Sequence, residues 1–96
     1  MGEFGPGSIV WARILRWHPG QIISPQELPP AYSSLSNKCA ETSVFVKRFI
    51  INDVKIVPIS RLDNLGLNTV DRERAGKTPD IREAWDLAVS MMRGKL

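Results

Sequence analysis

Side chains that carry acid–base, nucleophilic or metal-binding chemistry are few and far apart in this sequence of 96 residues. His18 is the only histidine and Cys39 the only cysteine, so the sequence offers no cluster with the spacing of transition-metal ligands. Four aspartates lie singly in predicted turns or caps: Asp53, Asp63, Asp71 and Asp80. Since a Ser/His/Asp arrangement and a phosphate-cradling glycine loop are also lacking, the sequence predicts a protein that is not an enzyme and uses neither a cofactor nor a metal ion.

Basic side chains are a second group with binding potential. Lys and Arg number 13 against 10 Asp and Glu, and the net charge of +3 permits contact with nucleic acid without demanding it. The candidate phosphate contacts lie on or beside the predicted strands and before the last helix: Arg13, Arg16, Lys47, Arg48, Lys55 and Lys77. Further basic residues near the start of that helix are Arg72, Arg74 and Arg82. Because Lys47 and Arg48 are adjacent on a predicted strand, only one of them can serve a given surface.

Aromatic residues are a third group, because their ring faces attract cations. Trp17 lies in a predicted turn, residues 16–20, where no strand period would bury it. It is therefore the aromatic residue best suited to a ligand. Phe49 lies towards the end of a predicted strand and suits a core position and a ligand site equally well. The strand and helix patterns predict that three others belong to the core: Trp11, Phe45 and Trp85.

Short strands with apolar, β-branched and aromatic residues must position these side chains. The predicted strands cover residues 8–15, 21–24, 44–51 and 54–57. Pro19-Gly20 predicts the turn before the second strand, and Asn52-Asp53 predicts a two-residue hairpin turn before the fourth. Residues 59–62 are predicted to hold either a single tight turn or a short last strand.

A helix is predicted at the C-terminal end. Thr78 is a suitable N-cap, Pro79 suits the first helical position, and Gly94 marks the end. One apolar stripe at helical spacing comprises Ile81, Trp85, Ala88, Val89 and Met92. Residues 25–43 are predicted to be an irregular excursion between two strands, either functional or mobile. Residues 63–77 are predicted to be a surface loop with one short helical turn.

Strands followed by one helix exclude a parallel α/β sheet and predict a mainly β fold with a C-terminal α-helix. The expected form is a small bent antiparallel β-barrel of about five strands capped by one amphipathic helix. We expect residues 1–6 to be a tag or linker and residues 7–93 to form one domain. The single cysteine predicts a reducing compartment. We expect no membrane span, since no apolar run approaches about 18 residues. We expect no secretory signal, since no charged start followed by an apolar stretch is present at the N-terminus.

Three segments together resemble a PWWP domain, a member of the Tudor-like family of methyl-lysine readers. Residues Gly7–Arg13 have the sequence Gly-Ser-Ile-Val-Trp-Ala-Arg, similar to the family's opening strand, Gly-Asp-hydrophobic-Val-Trp-Ala-Lys. Residues Val46–Ile50 are similar to the family's third strand, with its Val-x-Phe-Phe-Gly. Residues Glu83–Ala88 resemble its closing helix. The resemblance spans residues 7–92 and implies an SH3/Tudor-like barrel.

The family's Pro-Trp-Trp-Pro motif is not intact in this sequence, and two alignments remain open. Without a gap up to Trp17, that residue matches the aromatic that follows the family's glycine, and two residues are missing before Pro19. With the gap placed earlier, residues 16–19 themselves stand for Pro-Trp-Trp-Pro, and His18 replaces a tryptophan. Trp17 is an aromatic candidate in both alignments.

The resemblance implies an aromatic cage for a methylated lysine, formed in the family by the first β-turn and the third strand. A trimethyl-lysine head has no hydrogen to donate and is best held by aromatic faces. Mapped onto this sequence, the cage contains Trp17 and Phe49. The third wall of the cage is not assigned, and the candidates are His18, Ile14 and Trp11. Strand parity places Trp11 on the opposite face from Ile14 and favours Trp11 as a core residue.

The resemblance therefore implies a nuclear chromatin-binding module that is monomeric as an isolated domain. It would recognise a methylated lysine, in the trimethylated form, on a histone tail, with non-specific contact to the backbone of double-stranded DNA. Proteins of transcription elongation are among those that carry such modules. The broken motif leaves one alternative open, a nucleic-acid-binding barrel whose cage has decayed. A second alternative is a protein-interaction barrel that docks a partner through residues 25–43 or the helix.

Overall fold

Five strands form one antiparallel sheet in the computed structural model, which describes residues 4–94. They are β1 (Ile9–Ile14), β2 (Arg16–Ile23), β3 (Ser43–Arg48), β4 (Val54–Pro58) and β5 (Leu62–Asn64). Two α-helices follow, α1 (Thr69–Ala75) and α2 (Pro79–Gly94). The strands pair in the order β4-β3-β2-β1-β5, and the sheet curves so that β1 also approaches β4. The predicted fold class is confirmed, although the sheet stays open between its edges β4 and β5.

Strand β2 begins earlier than predicted. Residues 16–20 form its first half, so the predicted turn there is wrong, and the pairing with β1 continues to Arg16. Leu15 alone makes the turn, with φ of 69°. The glycine of the Pro-Gly pair serves strand packing, because a Cβ on Gly20 would lie 2.5 Å from Cγ1 of Val46 on β3.

The segment between β2 and β3 is more regular than predicted. It contains two 3-10 helices, Pro25–Glu27 and Pro30–Asn37, and none of their residues is buried. A proline begins each of them, where the missing N–H would have no helical partner. The prolines of this segment therefore start short helices.

The connection between β3 and β4 is longer than the predicted two-residue turn. Strand β3 ends at Arg48 rather than at residue 51. Ile50 and Asn52 in the connection have φ of 71° and 62°. The amide of Asn52 donates to the carbonyl of Arg48 at 2.8 Å. These left-handed residues turn the chain out of the sheet before β4 begins.

Residues 63–77, predicted as a loop with one helical turn, include the end of β5 and all of α1. The buried carboxylate of Asp71 accepts the indole N–H of Trp11 at 2.6 Å and the backbone N–H of Asn68 at 2.9 Å. It therefore stabilises the start of α1 and ties that helix to β1. Both alternatives for residues 59–62 occur together, as a 3-10 turn at Ile59–Arg61 followed by β5.

The prediction of the C-terminal helix is confirmed. Oγ1 of Thr78 accepts the backbone N–H of Ile81 at 3.2 Å, and Pro79 is the first helical residue. The buried face comprises Ile81, Ala84, Trp85 and Ala88. Met92, predicted in the apolar stripe, is exposed, whereas Met91 packs against the core. Within residues 4–94 neither α-helix has the length and apolar character that crossing a membrane requires.

Two apolar clusters pack on the two faces of the sheet. The first, here called the helix-side core, joins Trp11 and Phe49 to residues of α1 and α2. The second comprises Val10, Ala12, Ile22, Val46, Val57 and Leu62. The aromatic residues predicted as core are buried: Trp11, Phe45 and Trp85. Phe4, from the predicted tag or linker, packs against the second cluster, whereas residues 1–3 of that segment lie outside the described residues.

Candidate functional site

Two cavities open where the β1–β2 turn meets the start of α2. The Trp17 cavity has a volume of about 370 Å³ and is lined by Trp17 and four basic residues, Arg13, Arg16, Arg74 and Lys77. The His18 cavity, of about 310 Å³, is lined by Ile14, His18, Arg48, Ile51 and Asp80. Four lining residues, one of them basic, are common to both: Leu15, Arg16, Thr78 and Ile81. The two cavities are therefore halves of one depression.

Trp17 presents its ring to arginine side chains of the same chain. Strand pairing holds it opposite Arg13 of β1, and it is half-buried against the helix-side core. The guanidinium of Arg74 lies 3.9 Å from the centroid of the Trp17 ring, and that of Arg13 lies 5.8 Å away. Arg74 also donates to Asp63 at 2.9 Å, which holds it in this position. The indole face thus already binds a cation.

The Trp17 cavity has a strongly positive lining. Four cations and no carboxylate line it. Asp63 offsets the charge of Arg74. Within residues 4–94, Arg13, Arg16 and Lys77 take part in no salt bridge, and all three are exposed. The cavity therefore attracts anions, and a cationic ligand must overcome the repulsion of these charges.

The residues predicted for the cage lie in three different places. Trp17 lines the first cavity, whereas His18 and Ile14 line the second. Phe49 is only 8% exposed and lines neither of them. His18 is also buried, and its Nε2–H donates to the carbonyl of Phe49 at 3.1 Å. Among these four residues, Trp17 alone lines the cavity that carries four basic side chains.

The basic residues predicted for DNA contact fall into two groups of three. Arg13, Arg16 and Lys77 surround the Trp17 cavity. The other three lie on β3 and β4: Lys47, Arg48 and Lys55. Arg48 makes two hydrogen bonds to the carboxylate of Asp53, at 2.8 and 2.6 Å, and thereby lowers the pKa of that carboxyl. The charge of Arg48 is thus offset within the chain.

Arg74 is the site residue that the sequence alone did not place. Its sequence neighbourhood, the charged run from Asp71 to Arg74, predicts only a surface loop. Helix α1 directs Arg74 back over the sheet, where it reaches Trp17. The only feature of the sequence that indicates a binding role for Arg74 is its positive charge, which many solvent-exposed residues also carry.

Protonation of His18 should make stability depend on pH. Burial lowers the pKa of His18 below its ordinary 6.5, the hydrogen bond to Phe49 acts in the opposite direction, and the charge of Arg48 lowers the pKa further. Below pH 6.5 the unfolded chain therefore binds a proton that the folded chain does not. We expect the free energy of unfolding to fall as the pH drops from 6.5 to the lowered pKa, and to level off below it.

Urea unfolding between about pH 7.5 and about pH 5 measures this effect. His18→Gln is the matched control, because an amide can still donate to the Phe49 carbonyl and does not titrate. Asp53 acts in a separate window, since its depressed pKa contributes stability that is lost only below about its ordinary 3.8. Equal pH profiles for the parent and His18→Gln would contradict the assignment to His18.

The β1–β2 turn is a single residue. Strand pairing continues through Ile14 and Arg16, so Leu15 alone connects the strands. Residues 16–19 therefore lie at the start of β2. Trp17 and His18 lie on this strand in either alignment to the Pro-Trp-Trp-Pro motif, and both alignments stay predictions.

Two solved structures are similar to this chain in fold. The crystal structure of WHSC1L1-PWWP2 has a TM-score of 0.62 and 20% identity, covering 97% of this chain and 84% of that one. The solution structure of the second PWWP domain of WHSC1L1 has a TM-score of 0.57 and 18% identity, covering 92% and 88%. No protein-family model and no curated protein sequence matches the chain. The resemblance to a PWWP domain is confirmed at the level of the fold.

Proposed function

We propose that this chain, which has the PWWP fold, is a nuclear chromatin-binding module that acts as a monomer. In this proposal the Trp17 cavity accepts a methylated lysine of a histone tail, in the trimethylated form. The basic residues around the cavity hold the backbone of nearby double-stranded DNA without reading its sequence. No chemical step is involved, so the module is not an enzyme.

The methyl-lysine part of the proposal rests on one observation. The guanidinium of Arg74 already lies 3.9 Å from the centroid of the Trp17 ring. A ring face that binds a guanidinium also suits a trimethylammonium group, which needs no hydrogen-bond acceptor. A volume of about 370 Å³ lies within the range of ligand pockets. The incoming lysine would displace Arg74 from the ring, against the ion pair with Asp63 that holds Arg74 there.

The positive lining supports the DNA part. Phosphates neutralise the charges of Arg13, Arg16 and Lys77, and each such contact releases counterions. DNA bound at this rim also reduces the repulsion that a cationic lysine meets in the cavity. The two ligands should therefore assist each other, with DNA providing most of the affinity.

A second candidate function is a nucleic-acid-binding barrel whose cage has decayed. It is favoured by the burial of Phe49 and His18, which leaves Trp17 as the one predicted cage aromatic beside the basic cavity. A single ring beside uncompensated cations holds a methylammonium group weakly. This candidate predicts that DNA binds and that peptides are not distinguished by their methylation state.

Substitution of Trp17 tests the two candidates. We expect Trp17→Ala to weaken binding of a trimethylated histone peptide about tenfold, since a cation–π contact is worth about 1–2 kcal/mol. Trp17→Phe should retain part of the affinity. NMR titrations with un-, mono-, di- and trimethylated peptides, with and without a short duplex, measure the peptide affinities of the parent and the two variants.

Leu87→Ala is the matched control, because Leu87 is an exposed apolar residue on α2 that lines neither the Trp17 nor the His18 cavity. Its peptide affinity should equal that of the parent. If the parent binds all methylation states alike, or if Trp17→Ala binds as the parent does, the methyl-lysine part is wrong. Retained DNA binding in that case would establish the second candidate.

A further inference from the structure

Aliphatic side chains are exposed at the ends of two neighbouring hairpins. Leu15, in the β1–β2 turn, has a relative exposure of 102%, the full value for an open side chain. Ile50 and Ile51, in the β3–β4 connection, are 43% and 49% exposed. Leu15 and Ile51 both line the His18 cavity, so the two hairpin ends lie side by side. Together these three residues are called the apolar tips.

The backbone at two of the apolar tips, Leu15 and Ile50, is unfavourable for such residues. Leu15 has φ of 69° and Ile50 has φ of 71°, a left-handed conformation that glycine and asparagine adopt readily. A β-branched side chain is especially disfavoured there. Asn52, in the same connection, also has a left-handed conformation, with φ of 62°, and asparagine is a residue type that ordinarily occupies such a position. Packing does not account for aliphatic residues at strained, exposed positions, and strain of this kind is often associated with function.

Basic residues accompany the apolar tips. Arg13 and Arg16 lie on either side of Leu15 in the hairpin, and Lys47 and Arg48 precede Ile50. Arg13, Arg16 and Lys47 are exposed, whereas Arg48 is paired with Asp53. The matching ligand is therefore a polyanion that also offers an apolar slot. The minor groove of DNA, with phosphates on both sides of stacked bases, has this chemistry.

We propose that the apolar tips form a wedge that enters the DNA minor groove and bends the duplex. Leu15 inserts partly between two base pairs at a flexible step, and Ile51 follows the groove beside it. Arg13 and Arg16 hold the phosphates on the two sides of the insertion. This inference rests on the DNA contact of the proposed function and adds a deformation of the DNA to it.

The shape of the tips favours DNA over a lipid surface. A turn of one residue presents a single side chain at its tip, so that a side chain rather than the strand pair enters a groove about 6 Å wide. Proteins that lie on membranes usually present a long apolar helix face with basic residues along its border. The apolar tips lie instead at two hairpin ends, beside the exposed cations Arg13, Arg16 and Lys47.

A bending assay tests the wedge. A duplex of about 25 base pairs, with a fluorescent donor and acceptor at its ends and a central TA step, is titrated with the whole chain. We expect energy transfer to increase on binding, and to increase less for a duplex with a stiff A-tract at its centre. Leu15→Asn should remove most of the increase while weakening binding less than about threefold, because the phosphate contacts remain.

Leu15→Asn is suited to this test because asparagine tolerates the left-handed conformation, so the turn should persist. Leu87→Asn is the matched control, since it replaces an exposed leucine on α2, away from the apolar tips, and it should bend DNA as the parent does. Equal bending by the parent and Leu15→Asn overturns the wedge but leaves the DNA contact. Absence of any DNA binding by the parent overturns the wedge together with the DNA part of the proposed function, and leaves the methyl-lysine part to its own test.

Binding to lipid vesicles tests whether the apolar tips contact a membrane instead of DNA. The parent and Leu15→Asn are sedimented with vesicles of phosphatidylcholine and phosphatidylserine. We expect little association with the vesicles and no dependence on Leu15. Vesicle binding that requires Leu15, with no bending of DNA, would assign the apolar tips to a membrane and overturn the wedge.

Discussion

Replacing Asp71 by alanine is expected to lower the free energy of unfolding by about 3 kcal/mol. The carboxylate of Asp71 accepts the indole N–H of Trp11 and the backbone N–H of Asn68, and it is 4% exposed. Without it, a fully buried indole N–H loses its partner, and α1 loses the acceptor at its first turn. An unsatisfied buried donor costs about 1–3 kcal/mol, and loss of a cap about 1 kcal/mol.

Urea unfolding followed by far-UV circular dichroism measures the effect of Asp71→Ala. Asp71→Asn should have an intermediate effect, since its amide oxygen can accept only part of what the carboxylate accepts. Glu73→Ala is the matched control, because it removes an exposed carboxylate from the same helix. A loss for Asp71→Ala no greater than that for Glu73→Ala would show that the Trp11–Asp71 bond does not support the fold.

Removing the three free cations of the Trp17 cavity is expected to abolish most DNA binding. The variant Arg13→Ala/Arg16→Ala/Lys77→Ala should bind a duplex of the order of a hundredfold more weakly near 0.1 M salt. The slope of log K against log salt should become shallower by about 0.9 for each phosphate that the variant no longer neutralises. These residues are exposed and take part in no salt bridge within residues 4–94, so the fold should be unaffected.

Fluorescence anisotropy of a labelled duplex at several salt concentrations measures both quantities. A matched control removes the same charge elsewhere, at exposed residues that do not line the Trp17 cavity: Lys38, Arg61 and Arg93. This control should lose little affinity and should keep most of the salt slope. If both triple variants lose the same affinity, DNA responds to net charge and the cavity is not its binding surface.

Local patterns were sufficient to predict the main elements of the fold. Strand alternation around Val10 and Val46 and the capped apolar stripe from Thr78 onwards identify β1, β3 and α2, because burial on one face imposes those periods. The start of β2 was not predictable in this way. Gly20 suggests a turn, but it is there to admit Val46 of a neighbouring strand, and such a contact becomes visible only when the strands are paired.

The site was less predictable than the fold for the same physical reason. Trp17 is predicted as a ligand residue because it is assigned to a turn; it lies on β2 instead, yet the structure places it at a cavity. Phe49 and His18 depend on how β2 meets the end of β3, which local sequence does not determine. Arg74 and Asp71 reach the sheet from a helix whose sequence resembles a polar loop. Interactions between residues distant in sequence leave no periodic signal.

The strand order has a consequence for how the chain folds. Strands β1 to β4 each pair with their neighbour in sequence, so this meander can assemble from successive contacts with limited loss of chain entropy. The bond between Trp11 and Asp71, by contrast, joins residues 60 positions apart, and β5 must return to β1. We expect the four-strand meander to assemble first and β5, α1 and α2 to dock last. During synthesis, Trp11 would therefore remain uncovered until the chain beyond Asp71 has left the ribosome.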